Sequence, residues 1–244
     1  MFALLKKEIN SFFSSLIGYL VIIVFLLAVG LLMWIFPGGG HNVIESGYAN
    51  MDPLFILAPW LFLFLIPAVT MRMLAEEQKS GTIELLLTQP ITDLQIVLAK
   101  YLAAVILVLI SLVPTIVYYI SISRLATPAG NVDTAGIIGS YIGLIFLCSG
   151  FASIGIFASS LTNNQIVSFI LAVILCFFFY SGFDFLSTIL TTSETTTILS
   201  RLGMSNHYSS LSRGVIDTRD VVYFISVTLF FVFLSRFILE KRKW

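Results

Sequence analysis

Charge is what this chain has least of. Asp, Glu, Lys and Arg make up 11% of its 244 residues, while 58% are hydrophobic and mean hydropathy is +1.02. A soluble domain carries about 25% charged residues. With less than half of that, too few polar side chains remain to cover a buried core, so a soluble protein is excluded and an integral membrane protein is implied. The 13 basic and 13 acidic residues balance, which leaves no basic field for nucleic acid. Only two cysteines occur, Cys148 and Cys176, both inside apolar runs. They read as small hydrophobes rather than a disulfide framework.

Histidine is equally scarce. His41 and His207 lie far apart, belong to no H-x-x-x-H pattern, and read as loop residues, so no metal site is expected. Neither lies at membrane depth, where an intramembrane protease would need its base. No G-x-x-x-x-G-K-[ST] stretch is present, and Gly38-Gly39-Gly40 runs into His41 and Asn42, which suits a flexible turn. The chain is therefore not expected to be an enzyme or to hold a cofactor. Any ATP and Mg would be bound by a separate ATPase chain.

What is present is apolar length. A helix needs about 20 apolar residues to cross a bilayer, and six stretches approach that: 16–36, 53–73, 98–120, 136–158, 164–186 and 221–239. The segment Leu16–Phe36 is too long for a signal sequence and lacks a cleavage site, so it counts as the first span. No repeat or long linker divides the chain, and residues 1–244 read as one all-α, polytopic domain.

Lys and Arg orient the bundle. Cytoplasmic termini would put Lys6, Lys7, Arg72, Lys79, Lys100, Arg236, Lys241, Arg242 and Lys243 inside, and only Arg124, Arg201, Arg213 and Arg219 outside. Asp52-Pro53 suits an N-cap before the second span, Thr92 with Gln95 a capping box before the third, and Asp220 a cap for the sixth. At the N-terminus Leu5, Ile9, Phe12, Phe13 and Leu16 recur at helical spacing opposite Lys6, Lys7, Asn10, Ser11, Ser14 and Ser15. That pattern either lies in the membrane interface or extends the first span, and its polar face favours the interface.

The spans are almost free of charge, with Asp184 near the outer end of the fifth and Arg72 near the inner end of the second. No relay crosses the midplane, which argues against a proton-coupled transporter. Gly139 and Gly143, with Gly136, Gly150, Ser153 and Gly155, give the fourth span a face for close packing, foremost within one subunit. Pro59, Pro67 and Pro114 can bend the second and third spans. Between the last two spans, 187–220 is too polar to cross. Ile198, Leu199, Leu202 and Leu211 suit one or two short helices dipping into the outer leaflet, ending near Gly203 and Gly214, with Glu194, Arg201 and Arg213 toward water.

One stretch stands apart: "AEEQKSGTIELLLTQPIT", residues 75–92. The second span should continue as helix toward Gln78, break at Ser80-Gly81, and restart as a short helix from Thr82 to about Gln89. Pro90 then ends it. A third helix from Asp93 to Ile120 would be about 42 Å long at 1.5 Å per residue, against a hydrocarbon core of about 30 Å. The surplus implies a protruding handle with an apolar knob, Ile83, Leu86 and Leu87, suited to a partner groove. A solvated loop resting its leucines on the bilayer is the alternative.

The sequence "EEQKSGTIELLLTQPITDLQIVLAKYL" resembles the first cytoplasmic loop of type-2 ABC transporter permeases, and "HYSSLSRGVIDTRDVVYF" at 207–224 is similar to that family's entry into its last span. The likeness extends over essentially the whole chain and is greatest to the permease subunit of the gliding-motility ABC transporter of Bacteroidota. It implies six spans, an N-terminal interfacial helix, a coupling helix and short extracytoplasmic helices before the last span. Glu76, Glu77, Gly81, Thr82, Glu84, Leu86 and Leu87 would form the coupling element, the acids meeting polar or basic groups of an ABC ATPase subunit and the leucines its cleft. Further implied partners are a second permease copy or related membrane subunit, a companion with a large extracytoplasmic domain, and membrane lipids. The implied setting is the bacterial inner membrane and the implied role an exporter linked to motility or secretion. A membrane scaffold and an ATP-independent channel remain the rivals, and the substrate is unknown.

Overall fold

A computed structural model describes residues 1–37, 40–87, 90–189 and 199–241, and every regular element among them is helical. Gly38 and Gly39, the end of the short helix at Thr88 and Gln89, Glu194, Ile198, Arg242 and Lys243 lie outside the described residues. In chain order the helices are α1 (Phe2–Phe13), α2 (Leu16–Trp34), α3 (Val43–Ser46), α4 (Asp52–Thr70), α5 (Ala75–Lys79), α6 (Thr82–Leu87) and α7 (Asp93–Leu112). Then come α8 (Ile116–Leu125), α9 (Thr134–Leu161), α10 (Gln165–Phe177), α11 (Phe183–Ile189), α12 (Met204–Leu211) and α13 (Thr218–Lys241). Five runs are long and apolar enough to cross a membrane: Asp52–Lys79, Asp93–Leu125, Thr134–Leu161, Gln165–Thr188 and Thr218–Lys241. A sixth exists if α1 and α2, bent by 65°, count as one span.

The bundle is built around α9, and small residues explain why. A Cβ on Gly139 would lie 2.5 Å from the Gly214 carbonyl, one on Gly143 2.5 Å from Leu211 Cβ, and one on Gly155 would collide with the Thr70 side chain. Gly150 faces Met204 and Phe224. The glycine face is thus consumed inside the chain by α4, α12 and α13, as the sequence favoured. Close approach without Cβ atoms gives the van der Waals contact on which membrane packing depends. Aromatic rings fill the wider gaps, with Phe25 stacked on Phe62 at 4.5 Å and Phe55 edge-on to Tyr141 at 5.1 Å. Cys148 and Cys176 are free and buried, as small hydrophobes would be.

Several helix boundaries differ from the expectation. Asp52 caps nothing: it already lies in α4 and accepts from Asn50 Nδ2 at 2.9 Å. At the last span Asp217, not Asp220, takes the Arg219 N–H at 3.0 Å. The Thr92–Gln95 capping box forms as expected. The second span runs on to Lys79 as expected, with a turn at residues 71–74 between α4 and α5. Pro114, which cannot donate, sits in a 3₁₀ turn (Val113–Thr115) that divides the third span. The fifth carries a π-helical turn, Phe178–Gly182, that no sequence signal announced.

The described part of the outer segment packs on the bundle. Gly203 follows a helical turn at residues 199–200, near whose end it was expected, and also precedes α12, where Met204, Tyr208 and Leu211 are buried against the bundle. Tyr208 donates its O–H to the Phe55 carbonyl at 2.8 Å. His207 is no ordinary loop residue. Its Nδ1 lies 2.7 Å from Asp220 Oδ1 and its Nε2 2.8 Å from the Arg201 carbonyl, with the ring stacked on Tyr223. Ser210 also donates to Asp220, and Ser205 to Asp184. These contacts pin the segment onto α13 and the fifth span.

Candidate functional site

The residues between the second and third spans form a small, closed structure whose local causes are visible. After Thr70 the chain makes an irregular turn, which strands backbone donors at the start of α5. Ser159 of α9 satisfies them: its Oγ accepts from the Leu74 and Ala75 N–H groups, each at 3.0 Å, and donates to the Met71 carbonyl at 3.1 Å. Gln78 Nε2 donates to the Ser160 carbonyl at 3.1 Å. The first leg of the handle is thereby tied to the end of α9.

Gly81 then turns the chain with φ +71°, in the left-handed region glycine tolerates best. Ser80 donates to the Glu76 carbonyl at 2.9 Å and lies 2.9 Å from the Thr82 hydroxyl, closing the corner between α5 and α6. Ile83 is buried in the main core, and Leu86 packs on Leu4, Ile96 and Ala99. The knob expected to face a partner is thus turned inward at both of these positions, because the N-terminal helix already offers it an apolar seat. Leu87 ends α6. Outward stand Glu76, Lys79, Ser80, Thr82 and Glu84.

Charge organises the interior of the site. Lys100, on α7, is fully buried, with Nζ 2.8 Å from Glu8 Oε1 of α1 and 2.8 Å from Glu77 Oε2 of α5. Glu77 Oε2 accepts no hydrogen bond among the described residues, so that second contact is coulombic. Lys7 Nζ lies 3.0 Å from Glu77 Oε1 and 3.7 Å from Glu8 Oε1. Two cations and two anions alternate and cancel. Burial works against the Lys7 charge, yet Glu77 and Glu8 outweigh it and raise its pKa above the ordinary 10.5. Beside the quartet, Arg72 pairs with Glu76 at 3.5 Å and lies over the Phe12 ring. Lys7, Glu8, Phe12, Arg72, Glu76 and Thr82 help to line a polar cavity of about 170 Å³.

Of the expected coupling residues, Glu77, Gly81 and Leu86 therefore serve the handle's own structure, while Glu76, Thr82 and Glu84 are exposed. Lys100, Glu8 and Ser159 were not singled out from sequence. Lys100 falls within the third expected span, which is therefore not clean of buried charge. A signal existed: Lys100 follows Ile96 by four residues and precedes Ala104 by four, so it sits on the buried stripe of α7. Glu8 likewise stands midway between Leu4 and Phe12, the buried stripe of α1. A charge on such a stripe calls for an opposite partner. Of the expected face Leu5, Ile9, Phe12, Phe13 and Leu16, only Phe12 is fully buried, and the buried stripe runs Leu4–Glu8–Phe12.

Among the described residues no cluster of His, Cys, Asp or Glu could hold a metal ion. The site is a corner with a polar outer face, tied by hydrogen bonds and ion pairs to α1, α7 and α9. Among curated proteins, none matches the chain. Residues 41–242 match the family model described as ABC-2 family transporter protein, and the chain belongs to this family, the type-2 ABC permeases, as a multi-pass membrane subunit of an ABC transporter.

Proposed function

We propose that this chain is the permease subunit of an ATP-driven exporter, coupled to a separate ATPase through residues 76–89, with both termini in the cytoplasm of a bacterial inner membrane. The observation that carries the reading is the fixation of the handle by Ser159, Lys100 and the Thr92–Gln95 box. A solvated loop would need none of these. Family membership implies an ABC ATPase partner in general. Two copies, or this chain with a related membrane subunit, would form the path between them. ATP binding would draw two ATPases together and push the handles, provided their union favours one membrane conformation over the other. By resemblance the assembly serves gliding motility or associated secretion, with a companion subunit carrying a large extracytoplasmic domain.

In this reading Glu76, Thr82 and Glu84 meet basic or polar groups of the ATPase, while Ile83 and Leu86 hold the handle's shape. The test uses a C-terminal tag and gentle purification from native membranes, with co-purifying chains and ATP hydrolysis measured together. Glu84→Arg, on the exposed face, is expected to reduce ATPase recovery at least fivefold without changing the thermal stability of the isolated chain. A native chain that repeatedly arrives without any ATPase would sink the reading in favour of an autonomous channel.

A further inference from the structure

The alternating quartet Lys7–Glu77–Lys100–Glu8 joins α1, remote in sequence, to the handle and to α7, which follows the handle directly. A buried ammonium without partners is far costlier than an exposed one, so the contacts of Lys100 form or break together. Losing either carboxylate leaves the fully buried Lys100 ammonium with half its compensation. The apolar contacts beside the quartet reinforce the same junction, because Leu4 of α1 and Leu86 of α6 share Ile96 and Ala99 of α7 as their seat. Around Lys100 the facing charged groups are Glu8 and Lys7 from α1 and Glu77 from α5. Arg72 and Glu76 stand across the neighbouring cavity.

We propose that Lys100 is a positioning residue which clamps α1 and the handle onto α7, so that the three move as one body and displacement of the handle reaches the third span directly. The N-terminal helix thereby belongs to the moving element rather than acting as a passive float on the membrane. This rests on the coupling reading only for its second consequence, the transmission of a push from an ATPase. The clamp itself is a property of the isolated chain.

The two native cysteines are buried, so spin labels can be directed to introduced thiols. Labels at Asn10→Cys on α1 and Lys79→Cys on α5 occupy exposed positions flanking the clamp. Since Lys100→Met alone leaves two buried carboxylates with only the half-exposed Lys7 as partner and threatens folding, the informative variant is the triple Glu8→Gln, Glu77→Gln, Lys100→Met. It removes the three buried charges together and leaves Lys7 to solvent. In the chain reconstituted alone, the native protein and Lys100→Arg should give one narrow Asn10–Lys79 distance distribution, and the folded triple variant one at least twice as wide. A distribution of native width in the triple variant overturns the clamp.

In the complex with the ATPase, labels at Leu125→Cys and Phe185→Cys, both exposed, report the far end of the third and fifth spans. Trapping nucleotide should shift their separation in the native complex. The shift should fall by at least half in the triple variant while the ATPase stays bound. An undiminished shift overturns the proposal. If no ATPase binds the native chain, the coupling reading fails, and the chain-alone measurement still decides the clamp.

Discussion

At the scale of single residues, this protein uses its few charges where they cannot be spared. A buried ion pair is weak evidence for stability, because desolvation cancels much of the attraction, but removing one partner of such a pair costs about 3–5 kcal/mol. Lys100 is the extreme case. Lys7 is the tunable one, being more than half exposed at its side chain and held by Glu77 and Glu8. Its folded pKa lies above the unfolded value, so its contribution is complete below pH 10.5 and is lost as pH rises through the raised value. Thermal unfolding in lipid discs should therefore show the native protein losing more stability than Lys7→Gln between pH 9.5 and 11.5. Parallel curves would show that Lys7 contributes nothing through its charge.

At the scale of elements, the decisive feature is the turn at residues 71–74 inside the run Asp52–Lys79. It is tolerated because Ser159 supplies an acceptor for two stranded N–H groups. Ser159→Ala would leave both unpaired, at about 1–3 kcal/mol each where they stay dry. The expected outcome is a lowered unfolding temperature with faster amide hydrogen exchange confined to residues 71–79. Uniform exchange throughout the bundle would contradict the local role. The capping box at Thr92 was legible because it lies within four consecutive residues. The Ser159 cap was not, because its donor and acceptor are more than eighty residues apart in sequence.

At the scale of the whole molecule, α9 decides the arrangement. Its glycines and serines admit the backbone of the outer segment at one end and Thr70 at the other, so the ends of the protein are joined through one helix. Cys148 and Cys176 report on that joint, since both are free and buried beside α9's packing faces. A membrane-permeable maleimide should modify neither thiol in the native protein and both after denaturation, as read by intact mass. Gly143→Val, which collides with Leu211, should displace α12, and overpacking of this kind typically costs about 1–3 kcal/mol. Faster labelling of Cys148 in that variant would report the loosening. Unchanged protection would mean the outer segment does not depend on the α9 contact.

The composition and the apolar run lengths by themselves determined an all-helical membrane protein, the approximate place of each span, the inert cysteines, and the unusual stretch at 75–92. These follow from quantities that act locally or in bulk: hydrocarbon thickness, the scarcity of charge, and turn and cap chemistry within a few residues. Only the tertiary structure decided that Ile83 and Leu86 face inward, that His207 ties the outer segment to Asp220, and that Lys100 holds α1 and the handle together. Each of those depends on which helix face meets which neighbour. Hydrophobic spacing gives a helix's buried side only to within about a residue, so it could not say that Glu8, Glu77 and Lys100 converge. Desolvation makes their convergence obligatory, but only the packing of three separate helices makes it possible.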